Sequence, residues 1–280
     1  MQKKNNFSEV SESGVSEAIG FIIMFSIVLT GIAMVTLYAY PVLLESQINS
    51  DEKTMEQTLI SLQNEMKILT YSNVPYRDIA IRVSGGSLDF KDSAKSSDYF
   101  EFKFFNYTSP PGAYDNIPFY PGEIRYTSGE GSAVFTLENG AVISREKFQP
   151  GSAMAAEPRW YFDDSTDTLV VLLTKITSDR DYSLQNIGNV QMSMLSEPVT
   201  TDMNYEAAHA AGLAGASAYD VFLTYYPDSK NNLETAWRNY MTGDAISGSR
   251  HFTETSANVY QFDNVKRFVL KEYTIKIEDI

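Results

Sequence analysis

The first strong pattern in the sequence is an unbroken apolar segment near the N-terminus. Residues 18–40 contain no charged side chain over 23 positions. As a helix with a rise of about 1.5 Å per residue, this segment extends roughly 34 Å, which is enough to cross a bilayer. A cleaved secretory signal has a shorter apolar core and a small-residue cleavage site, which the sequence from Tyr38 to Pro41 does not match. The pattern predicts a transmembrane helix over residues 15–41.

A second pattern, with the period of a helix, follows the apolar segment. Apolar residues recur at steps of seven, four, three, four and three positions with polar residues between them: Ile48, Met55, Leu59, Leu62, Met66 and Leu69. This spacing predicts that the helix continues in amphipathic form over residues 42–73, with Pro41 as a point where it can kink. Two interpretations of the stripe stay open, which are packing on the protein's own domain and an intermolecular coiled coil.

Beyond Pro75 the pattern changes to short alternating runs separated by turn residues, as in β-strands. The clearest hairpin joins residues 133–137 to 141–144, because Asn139-Gly140 accepts the positive φ angles of a tight turn. Further strands are predicted at 76–83, 98–107, 158–163, 168–177, 189–196, 218–226 and 266–277, with a turn at Gly85-Gly86-Ser87.

Two segments interrupt the strands. Residues 202–217 are rich in Ala and Gly and predict a short helix or a mobile excursion, and residues 228–241 predict a surface helix with Ser229 as its N-cap. The predicted fold class is therefore α+β, with a long N-terminal transmembrane and amphipathic helix followed by an antiparallel β-sandwich-like extracellular domain over residues 74–280.

Charge indicates the orientation and excludes one class of partner. Lys3 and Lys4 precede the apolar segment and the first basic residue after it is Lys53, which predicts a single-pass protein of the cell membrane with a cytoplasmic N-terminus. The net charge of −14 makes nucleic acid an unsuitable partner. The absence of cysteine excludes disulfides and thiolate metal sites.

Residues able to carry catalysis are few. His209 and His251 are the only histidines and neither has a neighbour at metal-ligand spacing. No phosphate-binding glycine loop, dinucleotide fingerprint or nucleophile elbow is present in the sequence. We therefore expect a non-enzymatic protein without a cofactor, although a carboxylate pair could still act as a hydrolase.

Two surface sites are weaker expectations. Asp163, Asp164 and Asp167 place three carboxylates within five positions of a predicted loop, which could bind Ca²⁺ or simply form a solvated turn. Asn106 begins an Asn-X-Thr sequon and is a possible glycosylation site outside the membrane.

The N-terminus carries a family resemblance. The segment from Gly14 to Phe21, with a polar leader before it and a long apolar helix after it, resembles the class III signal region of archaeal type IV pilin-like proteins. The resemblance implies that residues 1–14 are a cytoplasmic leader and that a prepilin peptidase cuts between Gly14 and Val15. It also implies that Glu17 takes part in assembly, near the new amino terminus of its own or a neighbouring subunit.

The resemblance extends to an uncharacterised group of archaeal pilin-like surface proteins. It implies a pilin-like or minor-pilin-like membrane-anchored protein with a binding, adhesion or assembly role, whose partners are membrane lipid, pilin-like subunits, a prepilin peptidase or the S-layer. The alternative is a permanently anchored accessory protein of the envelope, such as an archaellum stator-like domain that contacts the S-layer, with an ordinary signal anchor at its N-terminus.

Overall fold

The computed structural model describes residues 9–72, 74–109, 112–146, 150–228, 231–246 and 250–280, with side chains from Ser16 onward. Contacts between residues divide the chain into two compact units, Met1–Ser50 and Asp51–Ile280. Four α-helices are present in the described residues: α1 (Glu9–Met34), α2 (Tyr40–Tyr71), α3 (Tyr205–Ala210) and α4 (Glu234–Thr242). A five-residue π-helix, Val35–Ala39, joins α1 to α2.

The π-helix explains how the helix continues past a proline. Pro41 has no backbone N–H, and in a regular α-helix its ring would press on the carbonyl group four residues earlier. The N–H of Tyr40 instead bonds to the carbonyl of Val35, five residues back, which widens the turn just before the proline. The helix also begins at Glu9, several residues before the apolar segment.

The strands number seventeen in the described residues. They are β1 (Tyr76–Arg82), β2 (Gly86–Lys91), β3 (Tyr99–Asn106), β4 (Ala113–Phe119), β5 (Glu123–Ser128), β6 (Ala133–Glu138), β7 (Ala141–Glu146), β8 (Ala153–Ala156), β9 (Tyr161–Asp163), β10 (Thr168–Ser178), β11 (Tyr182–Leu184), β12 (Ile187–Met194), β13 (Val199–Asn204), β14 (Tyr219–Tyr226), β15 (Thr253–Ser256), β16 (Val259–Val265) and β17 (Arg267–Asp279).

These strands form three sheets. The first has the order β1-β12-β17-β10-β9, with β13 also paired to β17; the second has the order β11-β2-β5-β6-β7-β8; the third has the order β15-β16-β14-β3-β4. The α+β prediction is confirmed, because one long apolar helix is followed by a domain of mostly antiparallel sheets.

One strand pair departs from the antiparallel pattern. The final strand β17 runs parallel to β10, with Thr168 opposite Arg267 and Ser178 opposite Ile277. A parallel pair needs a long connection rather than a hairpin, and here the chain between the two strands includes the third sheet's β14 to β16 and both short helices. β17 therefore lies inside the first sheet, with partners along both sides.

The amphipathic stripe of α2 packs on the domain that follows it. Met55, Leu59, Leu62, Met66 and Leu69 are each at most 2% exposed and share a cluster with apolar residues of β1, β2, β5, β6, β12 and β17. The amide of Gln63 fixes the helix to the β6–β7 turn by donating to the carbonyl of Gly140 at 2.5 Å. The interpretation that the stripe packs within its own domain is confirmed from Met55 onward.

A second core lies between the first and third sheets. It combines the inward side chains of β10 and β17 with aromatic residues of β3, β14 and β16, and α4 covers it. Trp160 and Trp237 stack at its centre with ring centroids 5.8 Å apart. This core is rich in large aromatic side chains, which bury more apolar area per residue than aliphatic ones.

Two local predictions need correction. Gly86 begins β2 rather than continuing a turn, because the turn is completed at Gly85 with φ of 64°. The helix predicted over 228–241 begins only at Glu234 and has Leu233 at its N-cap, while Ser229 lies outside the described residues. Its apolar face, with Trp237, Tyr240 and Met241, is buried in the aromatic core, while Asn239 on the other face is exposed, as an amphipathic surface helix requires. The Asn139-Gly140 turn is confirmed, with φ angles of 46° and 72°.

Candidate membrane helix and ligand-binding groove

The apolar segment is exposed along its whole length. Its large hydrophobic side chains between Ile19 and Leu44 are 41% to 74% exposed. Within the described residues, one helix is long and apolar enough to cross a membrane, and it lies near the N-terminus. Exposed apolar surface on this scale is costly in water, so this segment is suited to a hydrocarbon environment.

Three serine and threonine hydroxyl groups in this segment are bonded within the helix. Ser26 donates to the carbonyl of Ile22 at 2.7 Å, Thr30 to that of Ser26 at 2.8 Å, and Thr36 to that of Ile32 at 2.9 Å. Such bonds to the preceding turn keep polar side chains paired without water, which a bilayer interior requires.

The residues of the predicted processing site fall within α1. The Gly14–Val15 bond lies inside the helix, five residues after its start at Glu9, and the side chains of both residues are outside the described part of the chain. Glu17 lies in the same helix and is exposed. Cleavage at Gly14 and a role of Glu17 in assembly stay predictions.

Asp163 and Asp167 in the predicted calcium loop have protein partners for their carboxylates. Asp163 accepts bonds from the hydroxyls of Ser165 at 2.7 Å and Thr166 at 2.8 Å, and these bonds lower its pKa. Asp167 pairs with Arg250 at 3.0 Å and with Lys266 at 3.2 Å. Among the residues that the structure describes, no group of three or more acidic or histidine side chains is placed to hold a metal ion. The calcium site stays a prediction that this geometry does not support.

The sequon residue Asn106 ends strand β3 in a closed local network. Its Nδ2 donates to Asp115 at 2.6 Å, and its Oδ1 accepts the hydroxyl of Thr108 at 2.6 Å. A glycan would replace one of the two Nδ2 hydrogens, while the bond to Asp115 needs only the other, so modification of Asn106 stays a prediction.

Each histidine has a contact with a nearby residue. Nδ1 of His209 lies 3.0 Å from the carbonyl oxygen of Ala214, at the end of α3, and Nδ1 of His251 lies 4.0 Å from a carboxylate oxygen of Asp244. Each contact joins a histidine to a residue close to it in the sequence.

A groove of about 400 Å³ crosses the outer face of the first sheet, and we call it the sheet groove. Its floor is apolar and its sides carry tyrosines and basic residues: Tyr71, Arg159, Tyr161, Thr168, Val170, Leu172, Arg267, Val269, Lys271 and Tyr273. This volume falls within the range of about 300–1,000 Å³ that is typical of small-ligand sites.

Strand alternation explains which side chains face the sheet groove. Trp160 and Phe162 are buried in the aromatic core, and Tyr161 between them points outward into the groove, as alternation in β9 requires. Arg159, just before this strand, also lines the groove. Trp160 fixes this arrangement because its indole N–H donates to the carbonyl of Leu172 on β10 at 3.0 Å. This alternation can be recognised in the sequence. Other residues of the groove lie on α2 and β17, and no local sequence pattern shows that these two elements meet.

Two aromatic contacts close one end of the sheet groove. The rings of Tyr71 and Tyr273 meet edge to face with centroids 5.8 Å apart, and the guanidinium of Arg159 lies 4.5 Å from the centroid of the Tyr71 ring. A cation at this distance over a ring is held by the ring's quadrupole rather than by a carboxylate. The ring of Tyr161 stays 47% exposed.

The charge of the sheet groove is the opposite of the charge of the chain. Among the described residues that line it, three are basic and none is acidic, whereas the whole chain carries −14. Arg267 is neutralised by two bonds to Asp202, of which the one from Nε is 2.9 Å, and this pairing lowers the pKa of Asp202. Arg159 and Lys271 have no ion pair with any described residue.

A further basic residue stands beside the sheet groove. Lys67 lines a small adjoining cavity whose wall includes Tyr71, Arg159 and Leu172 from the groove itself. Burial lowers the pKa of the Lys67 ammonium and the nearby Arg159 guanidinium lowers it further, while Glu157 acts in the opposite direction. The two cations therefore repel each other, and an anion between them would relieve that repulsion.

A cluster of acidic residues is buried elsewhere, at the ends of β5 and β6. Glu123 lies directly opposite Glu138 across this strand pair, and Asp98 is buried nearby. Glu123 has Arg125 as a partner at 2.5 Å and Lys91 at 3.4 Å. Burial raises the pKa of Glu138 well above its ordinary value, and the negative charges of Asp98 and Glu123 raise it further.

No curated protein and no solved structure is similar enough to match the chain. A family model, in contrast, matches residues 14–278, which is nearly the whole chain. The match begins at Gly14 and so includes the apolar helix as well as the sheets. The chain belongs to a family of unknown function (DUF7289).

Proposed function

We propose that the chain is a pilin-like or minor-pilin-like membrane-anchored protein of the cell surface, with a binding, adhesion or assembly role rather than an enzymatic one. The observation that carries the proposal is the division of its long helix. The part from Ser16 to Leu44 exposes apolar side chains, whereas the part from Met55 to Leu69 is built into the core of the β domain.

This division suits a subunit that is stored in a membrane. The exposed part can lie in lipid, and it can later pack against the same part of neighbouring subunits because both surroundings are apolar. Glu17 near the start of this part would be costly at the bilayer centre, so it belongs at the membrane surface or beside a neighbour's amino terminus.

The proposed orientation places the N-terminus in the cytoplasm and the β domain outside. It is supported by Lys3 and Lys4 before the apolar segment and by Tyr38 and Tyr40 at its far end, where aromatic residues favour the lipid–water boundary. The non-enzymatic role is supported by the sequence, which contains no catalytic motif with a recognised spacing.

Single-cysteine labelling tests the orientation, since the native chain has no cysteine to interfere. In intact cells, a membrane-impermeant maleimide should label a Ser196→Cys variant, because Ser196 lies in an exposed loop of the β domain. Labelling of Ser196→Cys only after the cells are opened would contradict the proposed orientation.

Mechanical shearing of cells distinguishes a filament subunit from a permanent anchor. If the protein is a pilin-like subunit, a fraction of it should sediment with sheared filaments and lack residues 1–14. Retention of the entire population in the membrane, at full length, would instead favour the accessory protein that contacts the S-layer.

A further inference from the structure

The sheet groove combines an apolar floor with basic sides. Its floor is apolar, with Val170 and Leu172 each 8% exposed, and its sides carry basic groups on an otherwise acidic chain. Arg159 and Lys271 line the groove, Lys67 lines the cavity that adjoins it, and none of the three forms an ion pair with a described residue. Glu157 acts on Lys67 and Asp202 on Lys271 only as electrostatic neighbours. Cations without an ion pair beside an apolar surface indicate an anionic ligand with an apolar face.

The backbone of the floor narrows the choice of ligand. β10 is paired with β9 on one side and β17 on the other, and β17 is paired with β13 on its far side. Their backbone N–H and C=O groups are therefore occupied, so a peptide cannot add to this face as a strand. Recognition must come from side chains, which here are tyrosine rings and hydroxyls, Thr168 and the cations.

We propose that the sheet groove binds a short acidic carbohydrate, with its carboxylates on Lys67, Arg159 and Lys271 and a sugar ring on the exposed ring of Tyr161. A pyranose presents C–H groups on its flat face and hydroxyls at its edge, which match an aromatic ring and the surrounding tyrosine and threonine hydroxyls. A densely charged polymer is a poorer match, because the net charge of −14 repels it at longer range.

The proposal deepens the binding role proposed above. It depends on the β domain being a binding module but on neither the membrane orientation nor the assembly of a filament. A binding experiment on the full chain in detergent therefore fails or succeeds independently of the labelling and shearing experiments.

The test uses a hyaluronan tetrasaccharide, in which uronates alternate with neutral sugars, and its methyl ester as the uncharged control. We expect the purified full chain to bind the acid form by calorimetry or NMR and to bind the ester at least about tenfold more weakly, since each lost charge-assisted bond is equivalent to about tenfold. Equal binding of the acid and the ester, or binding of neither, would overturn the proposal.

Variants locate the site. The double variant Arg159→Gln/Lys271→Gln should weaken binding of the acid form by about a hundredfold for the two contacts. Lys103→Gln should leave it unchanged, because Lys103 also has no ion pair with a described residue but lies on β3, near Tyr114 and Phe222. Binding by the double variant at the native affinity would contradict the proposal.

Two further measurements separate carbohydrate recognition from simple anion binding. Tyr161→Ala should weaken binding of the tetrasaccharide while Tyr161→Phe preserves it, and Tyr161 is exposed enough for both variants to fold. Tetraglutamate and inorganic phosphate should bind more weakly than the tetrasaccharide. If either binds equally well and Tyr161→Ala has no effect, the groove is an acidic-peptide or phosphate site and the carbohydrate proposal is wrong.

Discussion

The indole Nε1 of Trp237 donates a hydrogen bond of 2.7 Å to the buried carboxyl group of Glu138. This contact joins helix α4 to the end of strand β6 through the middle of the domain. Since Glu138 also lies near Asp98 and opposite Glu123, burial and these like charges together favour its protonated form. The domain therefore holds a carboxylic acid that is neutral at a pH where exposed glutamates are ionised.

This raised pKa predicts a pH-dependent stability. Between the unfolded pKa of about 4.3 and the higher folded pKa, the folded state binds more protons than the unfolded state, so the free energy of unfolding falls as pH rises. Glu138→Gln keeps an acceptor for Trp237 and removes the charge. We expect it to raise the melting temperature at neutral pH and to have little effect below about pH 4.

Glu123→Gln is the matched control, because Glu123 is buried in the same cluster but has Arg125 and Lys91 as partners. Removing its charge leaves the half-buried guanidinium of Arg125 with a weaker partner, so this variant should lower the melting temperature at neutral pH. A Glu138→Gln variant that is destabilised to the same degree would show that Glu138 is ionised in the folded protein.

The packing of α2 on the sheets predicts a large effect of shortening one side chain. Leu62 is 0% exposed, so Leu62→Ala should lower the free energy of unfolding of the β domain by about 2–5 kcal/mol through a cavity. Leu195 is 56% exposed, and Leu195→Ala should change this free energy by less than about 0.5 kcal/mol. Denaturant unfolding followed by tryptophan fluorescence measures both, and equal effects would contradict the packing of α2.

Truncation should depend on where the chain is cut. A protein without residues 1–41 loses the apolar segment and keeps the buried stripe, so we expect a soluble, folded, β-rich product. A protein without residues 1–73 exposes the apolar surface that Met55 to Leu69 cover, so we expect it to associate or aggregate. Light scattering and circular dichroism distinguish them, and a monomeric, stable product of the longer truncation would contradict this account.

Calcium should have little effect on stability. The carboxylates of Asp163 and Asp167 already have hydroxyl and basic partners, and a cation would have to compete with them. We expect millimolar calcium to leave the melting temperature unchanged. A rise in melting temperature that Asp167→Asn abolishes would show that the loop binds calcium after all.

Local patterns were sufficient to predict much of the fold. The heptad-like spacing from Met55 to Leu69 indicated the buried face of α2, and Asn139-Gly140 indicated the β6–β7 turn, because each feature depends on a few neighbouring residues. The start of α4 was mispredicted because Leu233, buried by tertiary contacts, stands at the N-cap where a polar residue was expected. The parallel pairing of β10 with β17 was missed because it joins strands that are far apart in the sequence.

The sheet groove was also beyond local prediction. Tyr71 ends α2, Tyr161 begins β9, and Lys271 lies near the end of the chain, so only the topology of the first sheet brings them together. Its one local signal was the alternation from Trp160 to Phe162, which marks Tyr161 as outward-facing. The burial of Glu138 was likewise not predicted, because the local sequence shows only that it precedes the Asn139-Gly140 turn.

We propose that this is a pilin-like protein whose apolar helix is retained after its leader is removed. The most direct measurement is the N-terminal sequence of the protein isolated from its native membranes. We predict that it begins at Val15, and that Gly14→Val blocks processing without preventing membrane insertion. A native population that begins entirely at Met1 or Gln2 would contradict the claim and would favour the permanently anchored accessory protein.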